Sequence, residues 1–408
     1  MAGAGGDARI PTWARLCDPR RSAHAPGASA HRGGRGTGAR AASGGVPMRR
    51  HRVVSPARAS EASRRAFQSV LWERGPATPR AVVLVCGTLA LLLLGVVVLA
   101  LHVGSERVPR AVVADVLRAH LLGRAGEPTV WETIVWRVRG PRVLLGIAAG
   151  AALAVAGTLL QTLLRNPLAE PYVLGISGGA ALGAIVAILG FAEAPLLRPV
   201  LAFTGAALTT ALVYAMSRGR TGISVERLVL AGVILAMLSW SAIALILALV
   251  PDPRLRGLAF WMMGDLSGGG DGLLPVVMGI VLAATVVAYA QARPLNLLLV
   301  GEEDARVLGV NVERVKTVAY LVASLLAGAI VPVAGAIGFV GLLVPHVVRL
   351  LWGSDHRMVL PAAAFGGAIV VVLADTVART ALAPRELPVG AVTVVLGAPL
   401  FMLLLRRA

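Results

Sequence analysis

Lysine is almost missing: of 39 basic residues, Lys316 is the only one that is not arginine. A P-loop places a Gly-Lys pair under nucleotide phosphates, so that motif is excluded throughout the chain, and with it this class of ATPase. Charge is scarce as well. With 15% charged and 57% hydrophobic residues, the chain lies far from the soluble average of about 25% charged, which excludes an ordinary soluble domain and marks a membrane protein. Cysteine is limited to Cys17 and Cys86, in regions of different composition. Neither a disulfide framework nor a cysteine metal site is available within one chain.

What charge there is sits unevenly. Residues 1–80 hold 15 arginines against 4 acids, within a net charge of +18 for the whole chain. This stretch is rich in Gly, Ala, Ser, Pro and Arg and has no apolar periodicity, so it lacks the apolar surface that would offset ordering and reads as a disordered basic tail. A nucleic-acid-binding arm and an organellar transit peptide are competing readings, but no aromatic or structured basic face accompanies the arginines, so no nucleic-acid partner is expected. Met48, followed by Arg49 and Arg50, offers an alternative start that would leave residues 1–47 untranslated.

From residue 81 onward, apolar runs near 20 residues recur, the length at which a helix rising about 1.5 Å per residue crosses a hydrocarbon core of about 30 Å. Ten spans are expected: 81–103, 142–164, 172–190, 196–217, 227–250, 272–292, 316–335, 338–352, 358–381 and 388–405. The fold class is therefore all-α and polytopic, a transmembrane domain over 81–408. Gly335, Gly338, Gly341 and Pro345 interrupt the eighth span, which predicts broken helical pieces buried among neighbours. Short connections and the tail carry 27 Arg and Lys on one side against 12 on the other, which places the amino terminus inside. Seven of those 12 cluster between the first two spans, an outer loop so basic that it needs a reason. The spacings Gly146/Gly150 and Gly175/Gly179/Gly183 put bare backbone on one face, for close helix packing.

Polar residues concentrate in few places. Arg139 and Arg142 stand three apart where the second span begins, either anchoring it at headgroups or forming an outward cationic patch. Asn166 and Pro167 stop that span on the inner side, and Asn166 and Glu170 either line a solvent path or cap the turn. In GEEDARVLGVNVERVK, acids at 302–304 favour a helix start after Gly301, Ala305 and Leu308 fall on one face, and Gly309 allows a break before a second short helix. Asp375 and Arg379 stand four apart, so either they pair within the helix or Arg379 points outward beside Arg139 and Arg142. His346 and His356 lack a third spaced ligand, which argues against a metal site.

The ordered strings RVRGPR, RNPLAEPYVLGISGGA, FWMMGDLSGG, GEEDARVLGV, GFVGLLVPHVVRL, GSDHR, LADTVAR and ELPVG with LGAPLF resemble the FecCD family of ABC importer permeases, within it the vitamin B12 permease type. The resemblance runs from about residue 81 to the end. It implies a non-enzymatic, cofactor-free permease that forms a homodimer or a paired heterodimer with a second permease subunit, binds two cytosolic ATP-binding subunits and receives an extracytoplasmic substrate-binding protein. It also assigns residues: Arg139, Arg142 and Arg379 to binding-protein docking, Asn166 and Leu168 to an inner gate, and Gly301, Glu302, Ala305, Leu308 and Gly309 to the coupling helices. Two positions depart from the pattern, Glu226 where relatives carry small hydroxyl residues and Gly140 where leucine is usual.

The expected function is ATP-driven import of an iron chelate, a ferric siderophore first, with vitamin B12 or haem as alternatives, through alternating access in a bacterial inner membrane. A secondary transporter would need ion-coupling groups at depth, for which only Asp375 and Arg379 offer themselves. A membrane enzyme would need a converging set of acids, bases or metal ligands, and no such cluster is visible.

Overall fold

A computed structural model of the chain describes residues 77–106, 108–123, 129–191, 194, 196–219, 222–250, 257, 260–270 and 272–405. The expectations for the tail before residue 77, Cys17 and Met48 among them, lie outside the described residues.

The chain enters its first helix at a strong start signal. Thr78 accepts a hydrogen bond from the Ala81 amide at 3.3 Å, and Pro79 occupies the first turn of α1 (Pro79–His102), where its missing N–H costs nothing. Ser224, Asn311 and Asp355 cap the later helices in the same way. After α1 come α2 (Arg110–Leu121), a π-helical stretch over Thr133–Arg139 that runs into α3 (Gly140–Leu163), α4 (Ile176–Gly190), α5 (Leu197–Ser217) and α6 (Val225–Leu249). A two-residue hairpin, Arg218–Gly219 with Gly222–Ile223, joins α5 to α6. Then follow α7 (Leu274–Ala290), α8 (Ala292–Val300), α9 (Glu302–Val307), α10 (Val312–Ala334), α11 (Val340–Trp352), α12 (His356–Thr380) and α13 (Val389–Leu405).

Each expected span coincides with a helix. Six helices are individually long and apolar enough to cross a membrane, α7 and α8 qualify together with a 51° bend, and α4, α11 and α13 are shorter apolar helices. This agrees with ten crossings. Of the long helices, α3 is the most enclosed and α1 the most exposed; α3 packs against α12, α10, α11 and α7.

Such approach depends on the small residues. A methyl group added at Gly150 would land on the Gly367 carbonyl, one at Gly179 on Thr209 and the Gly205 carbonyl, and one at Gly183 on the Leu201 carbonyl. The glycine spacing thus packs helices, as expected. Apolar side chains gain nothing by leaving lipid for one another, so contact of this kind is what holds spanning helices together.

The break at the eighth span is also present. Residues 335–339 leave the helix between α10 and α11, and irregular backbone inside a bundle needs internal partners. Tyr172 Oη accepts from the Ile337 amide at 2.8 Å and donates to the Ile337 carbonyl at 3.2 Å, while Glu170 Oε1 accepts from the Phe339 amide at 2.6 Å. The two expectations for Glu170 therefore both give way to a third role, satisfying unwound backbone.

Because the helices alternate in direction, two ends can be distinguished. The proximal end holds the start of α1, the 164–170 turn, the hairpin, α8, α9 and the 353–355 link. The distal end holds residues 103–106, 108–123 and 129–139, residues 260–270 and the 381–388 turn.

Candidate functional site

Polar chemistry is gathered at these two ends. At the distal end, the outward cationic patch expected of Arg139, Arg142 and Arg379 requires correction: they are 3%, 6% and 4% exposed. Arg142 Nε donates to Asp375 Oδ1 at 2.8 Å, and its Nη1 to Glu386 Oε2 at 2.8 Å. Arg379 Nε stands 3.0 Å from Asp375 Oδ2, so the intrahelical pair is made, and its Nη2 donates to the Ala100 carbonyl at 3.3 Å. Arg139 donates to the carbonyls of Leu101, His102 and Glu106. The physical reason is that α1 ends beside α3 and α12, and its unpaired carbonyls together with Asp375 offer the guanidinium groups better partners than water at the rim. Among the described residues, the arginines exposed at this end are Arg110, Arg118, Arg137 and Arg385.

A helix that was not expected covers this end. His120 of α2 stacks on Trp136 at 4.0 Å, and its Nε2 lies 3.2 Å from Glu132 Oε1. Together these contacts tie α2 to the π-helical entry of α3.

At the proximal end, α3 stops and Arg165 takes a left-handed backbone with φ 48°. Asn166 Oδ1 then accepts from the Leu168 amide at 2.9 Å, so Asn166 caps its own turn and Leu168 projects, half exposed. Beneath the turn, Gln161 donates to the Gly341 carbonyl at 3.1 Å and accepts from the buried Arg349.

The GEEDARVLG segment forms α9, starting at Glu302 as its three acids suggested. Two expectations for it need correction. Ala305 is buried whereas Leu308 is 61% exposed, beside Val307 at 87%, so they do not share a face. Leu308 already lies past the helix, where Gly309 with φ 82° turns the chain and its amide bonds back to the Arg306 carbonyl at 3.0 Å. The second short helix also precedes Gly301, as α8, instead of following Gly309, after which the chain enters the long α10.

Glu302 is the centre of an ion cluster. Its carboxylate lies 3.1 Å from Lys316 Nζ, 3.6 Å from Arg306 and 3.7 Å from Arg165. Lys316 Nζ also donates to Glu313 at 3.3 Å and to the Ile223 carbonyl at 3.0 Å, and Glu313 in turn accepts from the Ile223 amide at 2.8 Å. Neither Lys316 nor Arg165 was singled out as a site residue from the sequence. The signal available for Lys316 was its being the sole lysine, with an acid three residues before it.

The two histidines engage protein groups. His356 Nε2 meets Thr162 Oγ1 at 2.8 Å and its Nδ1 meets Asn296 Oδ1 at 2.7 Å, while His346 lies edge-on to Phe401. Asp355, which caps α12, accepts from Asn296, Arg357 and the Ala77 amide. Burial opposes its ionisation, yet these donors outweigh that and hold its carboxyl well below the usual carboxylate range.

Known proteins share this architecture. The sequence pattern of the FecCD transport family matches residues 91–407. A hemin transport system permease protein of Yersinia pestis is 42% identical over 292 residues, covering 68% of this chain and 87% of that protein. A vitamin B12 import system permease protein of Shigella sonnei is 41% identical over 279 residues, covering 68% and 85%. Among solved structures, one described as an inward-facing conformation of a metal-chelate type ABC transporter superposes with a TM-score of 0.67 at 28% identity, covering 79% of this chain and 99% of that one.

Proposed function

Because the chain belongs to the FecCD transport family of ABC importer permeases, we propose that it carries an iron chelate, a ferric siderophore first, from the distal to the proximal side of a bacterial inner membrane. The proximal end is then cytoplasmic, which puts the amino terminus inside. Energy comes from two separate ATP-binding subunits, and a second permease copy completes the path. The observation that carries this reading is α9 with its tip. Val307, the last residue of a short helix, and Leu308 just past it stand exposed at 87% and 61%, an apolar knob that a soluble partner subunit would cover and that lipid at a charged rim would not. Gly301, Glu302, Ala305, Leu308 and Gly309 form this coupling element, and Asn166 and Leu168 on the adjoining turn form the inner gate.

At the distal end, docking of a substrate-binding protein works through the network around Arg142. Glu386 is half exposed and shares Arg142 with Asp375, so an incoming carboxylate reaches the buried arginines by exchange with Glu386. Arg139 and Arg379 hold the rim in shape, and screening by salt affects the approach more than the seated complex.

Haem is the second reading, favoured by the similarity to the hemin permease. Reconstitution with the ATP-binding subunits and a binding protein tests both. ATP-dependent uptake of labelled ferric siderophore is expected. Uptake of hemin alone selects the second reading, of cobalamin alone neither, and uptake without ATP or the ATP-binding subunits overturns the permease assignment.

A further inference from the structure

The proximal ion cluster joins four pieces of chain that no helix connects rigidly: the gate turn through Arg165, the α5–α6 hairpin through Ile223, α9 through Glu302, and the first turns of α10 through Glu313 and Lys316. Lys316 is 4% exposed, and its ammonium has three donors for three acceptors, the Ile223 carbonyl, Glu302 and Glu313. The hub is thus fully satisfied. A buried ammonium without its carboxylates is strongly disfavoured, so the three segments it holds must move together or break the cluster.

The hairpin is built to admit it. Gly222 has φ 112°, and a methyl group there would occupy the Glu313 carboxylate, so both backbone conformation and space require glycine. Arg165 also reaches the cluster, at 3.7 Å from Glu302, from a left-handed conformation unusual for a non-glycine residue. It immediately precedes Asn166.

We infer that Lys316, Glu302 and Arg165 are a latch that transmits displacement of α9 to the gate turn and to the start of α6. The inference rests on the permease reading and adds to it the linkage between the coupling element and the gate. When an ATP-binding subunit shifts α9, Glu302 carries Lys316 and the hairpin as one body, while the half-exposed Arg165 arm pulls the turn bearing Leu168. Arg165, Glu302 and Lys316 are positioning residues, since none needs to touch cargo.

The test uses the full chain assembled with its ATP-binding subunits in proteoliposomes, with Cys17 and Cys86 replaced by serine and Leu168→Cys as a reporter labelled by a water-soluble maleimide. In the parent, ATP is expected to change the labelling rate; no change at any ATP concentration would count against the permease reading itself. Given that change, Arg165→Asn tolerates the left-handed backbone but lacks the charge. It is expected to keep ATP hydrolysis within about twofold while reducing the ATP-dependent labelling change roughly tenfold, a typical size for coupling between sites. Arg165→Lys should restore most of it, and Glu302→Gln, read per ATP hydrolysed because Glu302 belongs to the coupling element, should lose the labelling change to a similar degree. A full labelling response in both Arg165→Asn and Glu302→Gln overturns the latch. Lys316→Met is read only where it assembles, and the two milder variants decide the matter without it.

Discussion

The two ends of the molecule solve the same problem, burying charge beside a membrane, in opposite ways. At the distal end Asp375 sits between Arg142 and Arg379 on two long helices, α3 and α12, so the cluster is clamped by continuous backbone. At the proximal end Lys316 sits between Glu302 and Glu313 and reaches a hairpin and a six-residue helix. Mirror-image electrostatics give a brace in one case and a joint in the other, because backbone continuity decides whether partners can move. On this view loss of Asp375 unfolds the protein, and loss of the ion pairs around Glu302 uncouples it.

The sharpest way to break that contrast is Asp375→Ala. It leaves two arginines buried side by side without their shared counter-charge, and the loss of one partner of a buried pair costs about 3–5 kcal/mol. Thermal unfolding in detergent should fall steeply or the protein should not accumulate; a stable but uncoupled variant would erase the distinction between the ends. Next comes Tyr172→Phe, which strips both hydrogen bonds from Ile337 and is expected to cost about 2 kcal/mol, a buried amide and carbonyl being left unpaired. Limited proteolysis between α10 and α11 should report it.

Asp355→Asn should cost less, about 1 kcal/mol, since asparagine still caps α12 but loses the charge-assisted bonds to Arg357. The pH dependence has a definite sign. A carboxyl depressed in the folded state stabilises fully above its unfolded value of about 3.9, and that contribution is lost only as pH falls through the lower folded value. The difference in melting temperature between parent and variant should therefore be flat from pH 5 to 8 and shrink only in strong acid. The smallest effect belongs to Glu386→Gln. Its carboxylate is 47% exposed, so stability should change by less than about 1 kcal/mol, while binding-protein affinity should lose part of its salt dependence. An unchanged salt slope removes Glu386 from the docking route.

Much of this fold was legible from apolar run length and glycine spacing, because both are local. The start of α9 at Glu302 followed from helix-dipole chemistry within a few residues. The region between α7 and α9 read less well. Residues 292–300 continue the apolar character of α7, so a separate helix bent by 51° leaves no compositional mark. The outward patch expected of Arg139, Arg142 and Arg379 failed for a related reason. A string such as RVRGPR announces charge at a boundary, and α1 carbonyls and Asp375, the partners that take the charge inward, lie tens to hundreds of residues away.

By itself, then, the sequence determined that this protein lives in a bilayer, roughly where its helices cross, that it lacks a P-loop ATPase motif, and that residues 301–309 make a polar element with a helix start. Those properties follow from composition, run length and short-range hydrogen bonding. Which charges face solvent and which are spent inside, and that the sole lysine joins a hairpin to α9, was decided only in three dimensions. Burial of an ion depends on the counter-charge that folding brings beside it, and for Arg142 and Asp375 that neighbour is 233 residues along the chain.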